Sequence, residues 1–293
     1  MKSITLRTPA KINLTLEILG KRDDGYHNIS SIMQAVSLYD ILTISVQNIA
    51  ASANIVEISG NNPLIPYDKT NIAHIAAEKF LNTVGISSKK VSIHIEKHIP
   101  VAAGLAGGSS NAAGVLYGLN NIFESPLNMA ELAIIASQIG ADVNFCLNGG
   151  TKHAASKGEI LHNLPTIHFD AVILKPENLF ISSKEAYKAF SSLNPKPDKF
   201  NTELMINNIN NDKVDGIAEL LNNHLEEAIL PIYPEISKYK NLLKDAGCIN
   251  SIMSGSGPSV FGISTSKINI SALKKISKQV FNVKSVSSGI EII

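Results

Sequence analysis

One glycine-rich segment of the sequence has the composition of a phosphate-binding loop. It lies between a predicted strand and a predicted helix, and it contains three glycines within the five residues 104–108. Glycine lets the backbone turn tightly and approach a ligand closely. The helix that follows offers unpaired N–H groups and the positive end of its dipole to phosphate oxygens. The predicted phosphate-binding residues are Pro100, Val101, Ala102, Ala103, Gly104, Leu105, Ala106, Gly107, Gly108, Ser109 and Ser110.

The hydroxyls of Ser109 and Ser110 are expected to reach the phosphate or a metal ion bound to it. The simpler interpretation is a flexible strand-to-helix connection in which one of these serines caps the helix. The best-known phosphate motifs are absent, since the chain has neither the GxxxxGK[ST] pattern nor the GxGxxG fingerprint. The protein-kinase signatures are absent as well.

Two charged residues elsewhere in the sequence could act on a substrate. Residues 10–18 alternate polar and apolar side chains, which predicts a half-buried strand with Lys11 and Asn13 on its polar face. Asp142 follows Gly140 and is placed to begin a short helix that ends at 149–150. Each has an ordinary alternative role, because most lysines are solvated at the surface and aspartate is a common helix cap.

The predicted strands and helices that position these residues occur in an order that indicates an α+β fold with two lobes. In this fold, helices cover mixed or antiparallel sheets. We expect residues 1–165 to form an N-terminal lobe and residues 166–293 to form a C-terminal lobe. Thr70 is expected to cap a helix that begins near Asn71 and Ile72. Beyond these, we predict strands near 29–38, 40–47, 54–59, 91–95, 171–174, 250–254, 259–264 and 283–292, and polar connectors at 194–197 and 207–211. We predict helices near 129–139, 183–192, 213–229, 234–246 and 269–281, and a helix that follows the glycines and Ser109-Ser110 and runs to about 123.

Composition excludes several classes of function. Lys and Arg number 26 against 25 Asp and Glu, so the chain lacks the basic excess of a general nucleic-acid binder. No apolar run is long enough to cross a membrane, and no signal-like block opens the chain. Cys146 and Cys248 form no metal-binding or redox spacing. We therefore expect a cytoplasmic protein whose partner is a small molecule rather than nucleic acid or membrane.

The glycine-rich segment resembles the phosphate loop of the GHMP small-molecule kinases. Three further segments, at 9–14, 140–143 and 254–261, resemble other motifs of that family and occur in the same order. The resemblance implies the two-lobed GHMP-kinase fold, with ATP and an alcohol bound in the cleft between the lobes. It implies that the N-terminal lobe, residues 1–165, binds ATP and that the C-terminal lobe, residues 166–293, binds the substrate. It also implies transfer of the γ-phosphoryl group of ATP to the alcohol, with Mg²⁺ carried by the nucleotide and no metal ligand assigned to the chain.

The same resemblance assigns roles to individual residues. It implies that Asp142 removes the proton of the hydroxyl and that Lys11 lies beside it. Asn13 shares the strand face of Lys11, and we expect it to hydrogen-bond the substrate. Asn71 and Ile72 are candidates for the adenine pocket by position, although they could simply open their helix. One departure is that Asn144 stands two residues after the aspartate, where family members usually carry proline. We expect activity to survive, because asparagine still permits the helix to start.

A further segment, Gly25-Tyr26-His27, resembles one group of GHMP kinases whose alcohol substrate carries a cytidyl group. For these enzymes the reaction is phosphorylation of a 2-hydroxyl in isoprenoid biosynthesis. The resemblance implies that Tyr26 stacks on the cytosine and that His27 binds its edge. It also implies that Tyr187, in the second half of the chain, is a second aromatic against the base. We expect Ser183, near Tyr187 in the sequence, and Gly257, in the glycine segment, to contact the substrate as well.

Alternatives to this hypothesis remain open. Tyr26 and His27 could be loop residues packed on the sheet, and the segment around Gly257 could be a tight hairpin turn. The chain could instead be a GHMP kinase for an alcohol without a base, or a ligand-binding protein without activity on the same scaffold. We expect a monomer or a weak homodimer.

Overall fold

Two long strands run through the whole molecule in the computed structural model, which describes residues 1–293. β1 (Lys2–Lys21) and β2 (His27–Asn48) are antiparallel and are joined by a short turn. The register of the pair shifts at three places, between Pro9 and Ala10, between Asn13 and Thr15, and between Ile18 and Gly20. Such bulges bend a strand pair and increase its twist. The ribbon therefore supplies apolar side chains to three successive cores along its length.

The remaining elements follow the ribbon in chain order. The other strands are β3 (Ile55–Gly60), β4 (Lys89–Glu96), β5 (Thr151–Ser156), β6 (Ile160–Asn163), β7 (Asp170–Leu174), β8 (Asn222–Asn223), β9 (Asn250–Met253), β10 (Val260–Ser264), β11 (Val280–Lys284) and β12 (Glu291–Ile292). The helices are α1 (Ile72–Thr83), α2 (Gly107–Ile122), α3 (Met129–Ile139), α4 (Ala141–Asn148), α5 (Ser183–Leu193), α6 (Thr202–Asn210), α7 (Val214–Glu219), α8 (Glu226–Ile232), α9 (Glu235–Asp245) and α10 (Ile270–Ile276).

The strands form two sheets, and the predicted α+β class is confirmed. The first sheet has the order β12-β1-β2-β4-β3, with β5 and β6 added beside β2 and β8 beside β1. Helices α1 to α4 supply much of the largest core, which they form with this sheet. The second sheet has the order β11-β7-β10-β9 and is antiparallel throughout. None of the helices is long and apolar enough to span a membrane.

The two halves of the chain interlock across the predicted boundary at residue 165. All four strands of the second sheet follow that boundary, but β8 and β12 return to pair with β1 in the first sheet. The middle core also joins residues from both halves, such as Ile12 on β1 and Phe261 on β10. The middle core is therefore shared by both halves of the chain.

Several elements differ from the sequence prediction for local reasons. The connector expected at 207–211 is largely helical, because buried Glu17 accepts the backbone N–H groups of Asn201 and Thr202 and so starts α6. The single helix expected at 213–229 is divided into α7 and α8, since residues 222–223 between them pair with β1. Asn71 rather than Thr70 caps α1, with its side chain accepting from the N–H of Ala73 at 2.9 Å.

The strand expected at 283–292 is also divided. Its first part belongs to β11 in the second sheet, and its last two residues form β12 in the first sheet. The hairpin of β5 and β6 has no counterpart in the sequence prediction. The segment between β11 and β12 crosses the end of α4, where Gly149 lies against Gly289.

We predict that Gly149→Ala destabilises the protein by about 3 kcal/mol or more. A Cβ at Gly149 would lie 2.2 Å from the backbone nitrogen of Gly289, and the φ of 64° already disfavours any other residue. Gly85→Ala is a matched control, because Gly85 has a similar φ of 68° but open space around it. The control should cost only about 1–2 kcal/mol in the free energy of unfolding, measured by urea denaturation. Equal losses for the two variants would show that the segment after β11 does not press on α4.

Candidate active site

A cleft of about 1170 Å³ opens between the two lobes and gathers most of the residues that the sequence singled out. The first sheet, the glycine-rich loop, the start of α4 and the helix α5 all contribute to its wall. The predicted residues that line it are Lys11, Asn13, Tyr26, His27, Asn71, Ile72, Pro100, Val101, Ala102, Ala103, Gly104, Leu105, Ala106, Gly107, Gly108, Ser109, Asp142, Ser183 and Tyr187.

The start of α2 presents unpaired backbone donors to this cleft. No side chain caps the helix, and the residue before it, Ala106, is left-handed with a φ of 56°. The first hydrogen bond of the helix runs from the N–H of Ser110 to the carbonyl of Ala106, at 2.8 Å. The N–H groups of Gly107, Gly108 and Ser109 have no acceptor in the protein. Unpaired amides at the positive end of a 16-residue helix form a site for an anion.

The glycine-rich loop is held by the glycine turn of the second lobe. Gly104 has a φ of 74°, and a Cβ there would come within 2.0 Å of the carbonyl oxygen of Ser254. The hydroxyl of Ser254 donates to the carbonyl of Gly104 at 3.0 Å. A second bond runs from the N–H of Ser259 to the carbonyl of Ala103, at 3.3 Å. The close approach explains why glycine is needed at 104, and it fixes the loop to both lobes.

Two predicted residues do not face the cleft as expected. Ser110 is fully buried, and its hydroxyl donates to the carbonyl of Pro9 at 2.6 Å, so it holds α2 to β1 instead of reaching a phosphate. Gly257 lies behind the cleft wall, where a Cβ would come within 2.4 Å of the sulfur of Met253. Its neighbours Gly255 and Ser256 line the cleft in its place.

Lys11 and Asp142 meet in the cleft. The ammonium of Lys11 lies 3.7 Å from a carboxylate oxygen of Asp142, and it donates to Asn13 at 2.6 Å. The Lys11 side chain is 5% exposed and that of Asp142 is 33% exposed, so the carboxylate remains open to a ligand. Gly255 makes room for the pair, since a Cβ there would lie 3.3 Å from the Lys11 nitrogen.

Asp142 does not act as a helix cap. Gly140 precedes α4, no side chain caps that helix, and Asp142 stands in its first turn. The unusual Asn144 leaves the helix start intact, and its side-chain amide donates to the carbonyl of Glu159 at 3.2 Å. The carboxylate of Asp142 is therefore free of structural hydrogen bonds within the protein.

The aromatic residues that line the cleft are arranged differently from the predicted sandwich. His27 stacks on Tyr187, with ring centroids 5.3 Å apart and an angle of 27° between the planes. The second ring nitrogen of His27, Nε2, lies 3.0 Å from the hydroxyl of Ser191. Burial, together with the charge of Lys21, lowers the pKa of His27 and favours the neutral imidazole. Burial raises the pKa of Tyr187, and the charge of Asp142 adds to that rise.

Tyr26 stands at the rim of the cleft. It is 62% exposed, and the ammonium of Lys157 lies over its ring at 5.0 Å from the centroid. Ser183, at the start of α5, has its hydroxyl 3.4 Å from that of Ser256. Tyr26 and Tyr187 thus line the same cleft, but His27 rather than an open slot lies against Tyr187.

Asn71 and Ile72 lie at the end of the cleft that is formed by the start of α2. The side chain of Asn71 is occupied by α1 and by the carbonyl of Pro66, to which it donates at 2.7 Å. Ile72 offers an apolar surface next to Gly108, where a Cβ would lie 3.4 Å from its Cδ1. Ile72 therefore contributes apolar contact at this end, while Asn71 contributes mainly the capped helix start.

A buried ion pair that was not predicted from the sequence lies next to the glycine-rich loop. Lys97 is 8% exposed and pairs with Asp40, which is fully buried. The Lys97 nitrogen lies so close to α2 that a Cβ on Gly107 would come within 2.5 Å of it. Burial lowers the pKa of Lys97, and the charge of Asp40 opposes that shift. The sequence carried a signal for the burial of Lys97, since this residue continues the alternation in which residues 91, 93 and 95 are buried.

The cleft also carries more positive charge than the chain as a whole. Only two acidic residues, Asp24 and Asp142, line it. The lysines that line it are Lys11, Lys21, Lys97, Lys157, Lys184 and Lys188. This excess suits ligands that carry several phosphates.

Comparison with known proteins shows what this chain is similar to. The N-terminal domain of the GHMP kinases matches residues 71–150, and the C-terminal domain of the GHMP kinases matches residues 205–281. A protein of Clostridioides difficile strain 630, called 4-diphosphocytidyl-2-C-methyl-D-erythritol kinase, is 40% identical over 100% of this chain and 98% of its own length. A protein of the same name from Caldicellulosiruptor bescii is 44% identical over 90% of each chain.

A solved structure supports the same relationship. The crystal structure of a 4-(cytidine 5′-diphospho)-2C-methyl-D-erythritol kinase superposes with a TM-score of 0.78 at 27% sequence identity, and the match covers 96% of this chain and 99% of that one. Both domains of the family are therefore present in order, on a shared architecture, with relatives that align over nearly the full length. The chain belongs to the GHMP kinase family and is a small-molecule kinase.

Proposed function

We propose that this kinase transfers the γ-phosphoryl group of ATP to the 2-hydroxyl of 4-diphosphocytidyl-2-C-methyl-D-erythritol. The observation that carries the proposal is the arrangement of the cleft. Unpaired amides of α2 lie in the same cavity as the Lys11–Asp142 pair and the residues Tyr26 and His27. The names of the relatives supply the substrate, and the excess of lysines suits the diphosphate that it carries.

The phosphates of ATP are the ligands that fit the start of α2. Their oxygens would accept from the N–H groups of Gly107, Gly108 and Ser109, which have no other acceptor. Ile72, which lines the cleft beside Gly108 at the start of α2, would contact the adenine. Phosphoryl transfer depends mainly on positioning and charge stabilisation, and a rigid row of amides provides both.

Asp142 is the proposed general base. The substrate hydroxyl becomes a good nucleophile as its proton leaves, and the open carboxylate of Asp142 is placed to accept that proton. The ammonium of Lys11 fixes the carboxylate and stabilises negative charge that develops on the hydroxyl oxygen. Asn13 holds Lys11 in place, because its side-chain oxygen accepts from the ammonium and its nitrogen donates to Ser31.

Mg²⁺ enters this proposal as a complex with the nucleotide. The chain offers no cluster of three or more His, Cys, Asp or Glu side chains that could hold a metal ion. Ser109 and Asp142 are among the residues with side-chain oxygen atoms that line the cleft. When bound, the ion neutralises charge on the phosphates.

The cytidyl group would occupy the end of the cleft near Tyr26 and His27. Stacking on an aromatic side chain contributes about 1–3 kcal/mol per base, and the neutral imidazole of His27 can hydrogen-bond a base edge. Since Tyr187 stacks on His27, the base would add to that pair or displace one of its members. We infer that the exposed ring of Tyr26 closes over the base from the rim.

The substrate is tested by purified enzyme with ATP and a panel of alcohols. We expect phosphorylation of the cytidyl alcohol, with kcat/KM at least about a hundredfold above that for homoserine or mevalonate, because neither has a base for Tyr26. Tyr26→Ala should raise KM for the cytidyl alcohol about tenfold. Turnover of homoserine or mevalonate, with none of the cytidyl alcohol, would overturn the proposed substrate and leave the kinase assignment intact.

Replacing Asp142 by Asn tests the base. The change removes the proton acceptor but keeps the size of the side chain, so kcat should fall about 10²- to 10⁴-fold. The Kd for ADP should stay within about threefold, because the amides of α2 are unchanged. Asp170→Asn is the matched control, since Asp170 lies outside the cleft at the start of β7. A near-normal kcat in folded Asp142→Asn would exclude Asp142 as the base.

A further inference from the structure

A single buried carboxylate joins both ends of the glycine-rich loop. Asp40, on β2, is fully buried. Its Oδ1 accepts from the backbone N–H groups of His98 at 2.7 Å and Ile99 at 2.8 Å. Its Oδ2 accepts from the side-chain amide of Asn111 at 2.8 Å and from the ammonium of Lys97. No other carboxylate of the chain accepts from both sides of this loop.

The partners of Asp40 occupy positions that matter for the loop. Residues 97–99 come directly before it, and Asn111 comes directly after it in α2. The loop between them includes the left-handed residues Ala102 and Ala106, a costly conformation for alanine. Strained backbone persists only where the surrounding structure holds it firmly. Asp40 therefore holds together the two ends of a strained loop.

The charge of Asp40 and its hydrogen bonds lead to opposite predictions for how its replacement changes nucleotide affinity. A carboxylate beneath a phosphate site repels phosphate, so removing its charge alone would strengthen nucleotide binding. The same carboxylate holds Lys97 against Gly107 and Asn111 against β2, so removing it would loosen the row of amides. The sign of the change in nucleotide affinity distinguishes the two effects.

We propose that Asp40 is a positioning residue, which holds the amides of Gly107, Gly108 and Ser109 in the geometry that binds the phosphates of ATP. It touches neither ATP nor the alcohol, and it acts through Lys97, Asn111 and the backbone of residues 98–99. This proposal rests on the proposed function, which assigns the ATP phosphates to the start of α2.

The test measures the Kd of ADP by calorimetry for Asp40→Asn, with thermal unfolding as a check on the fold. We expect a Kd at least about tenfold higher than for the unchanged enzyme, since two charged hydrogen bonds are lost. Glu17→Gln is the matched control, because Glu17 is also a buried carboxylate that accepts two backbone N–H groups, but it holds α6 instead of the loop. It should lose stability without a change in the Kd of ADP. An unchanged or tighter Kd for Asp40→Asn would overturn the proposal.

A second variant keeps the test decisive if Asp40→Asn does not fold. Asn111→Leu removes the side-chain amide that links α2 to Asp40 at 2.8 Å and to Thr8 at 3.4 Å, and we expect it to raise the Kd of ADP as well. The double variant, if it folds, should lose no more than the stronger single variant, because both changes break one connection. Losses that multiply would mean that Asn111 acts on the nucleotide independently, and would overturn the proposal, as would an unchanged Kd for Asn111→Leu.

Gly108→Asp separates this proposal from the one on which it rests. The new carboxylate would suit the helix start and preserve stability, but it would repel a phosphate bound there. If Gly108→Asp leaves the Kd of ADP unchanged, the phosphates bind elsewhere, so the ATP site of the proposed function fails and the role of Asp40 fails with it. If Gly108→Asp abolishes ADP binding while Asp40→Asn leaves it unchanged, only the role of Asp40 fails.

Discussion

The three unpaired amides at the start of α2 are the constraint on which the rest of the site depends. They are free because no side chain caps the helix and because Ala106 turns the chain in the left-handed region. Backbone N–H groups without partners are unfavourable unless water or a ligand satisfies them. The residues around these amides are held in place by hydrogen bonds, so the amides stay accessible. Ser254 holds Gly104, Pro9 accepts from Ser110, and Asp40 holds the ends of the loop.

The β1–β2 ribbon explains how residues far apart in the chain meet these amides. Its bulges carry it from the first lobe into the second, so that Lys11 lies on the same wall as the glycine turn around Gly255. The return of β8 to β1 strengthens this link. Asn223 donates from its side chain to the carbonyls of Met253 at 2.7 Å and Gly255 at 2.8 Å, which ties the turn to the ribbon. The Lys11–Asp142 pair thus lies where the two lobes share strands.

Much of the site could be predicted because its chemistry depends on local patterns. The small residues of the loop, the alternation that places Lys11 and Asn13 on one face, and the position of Asp142 at a helix start are all visible over a few neighbouring residues. The α+β class followed from the same local patterns. The short strand β8 could not be predicted from local patterns, because it exists only where its two residues pair with β1.

The remaining features depend on contacts between distant parts of the chain. Nothing near Ser110 shows that its hydroxyl is taken by Pro9, and nothing near Asp40 shows that it faces residues 97–111. The stacking of His27 on Tyr187 joins two lobes across about half the sequence, and so the predicted sandwich of Tyr26 and Tyr187 was incomplete. Such contacts are set by packing, which local sequence does not reveal.

The most direct measurement is a crystal structure of the enzyme with a non-hydrolysable ATP analogue and the cytidyl alcohol bound together. The account predicts that oxygens of the β- and γ-phosphates accept from the N–H groups of Gly107, Gly108 and Ser109. It also predicts that the 2-hydroxyl lies within hydrogen-bond distance of Asp142, in line with the γ-phosphorus. Phosphates bound away from α2, or a hydroxyl that faces away from Asp142 and Lys11, would contradict it.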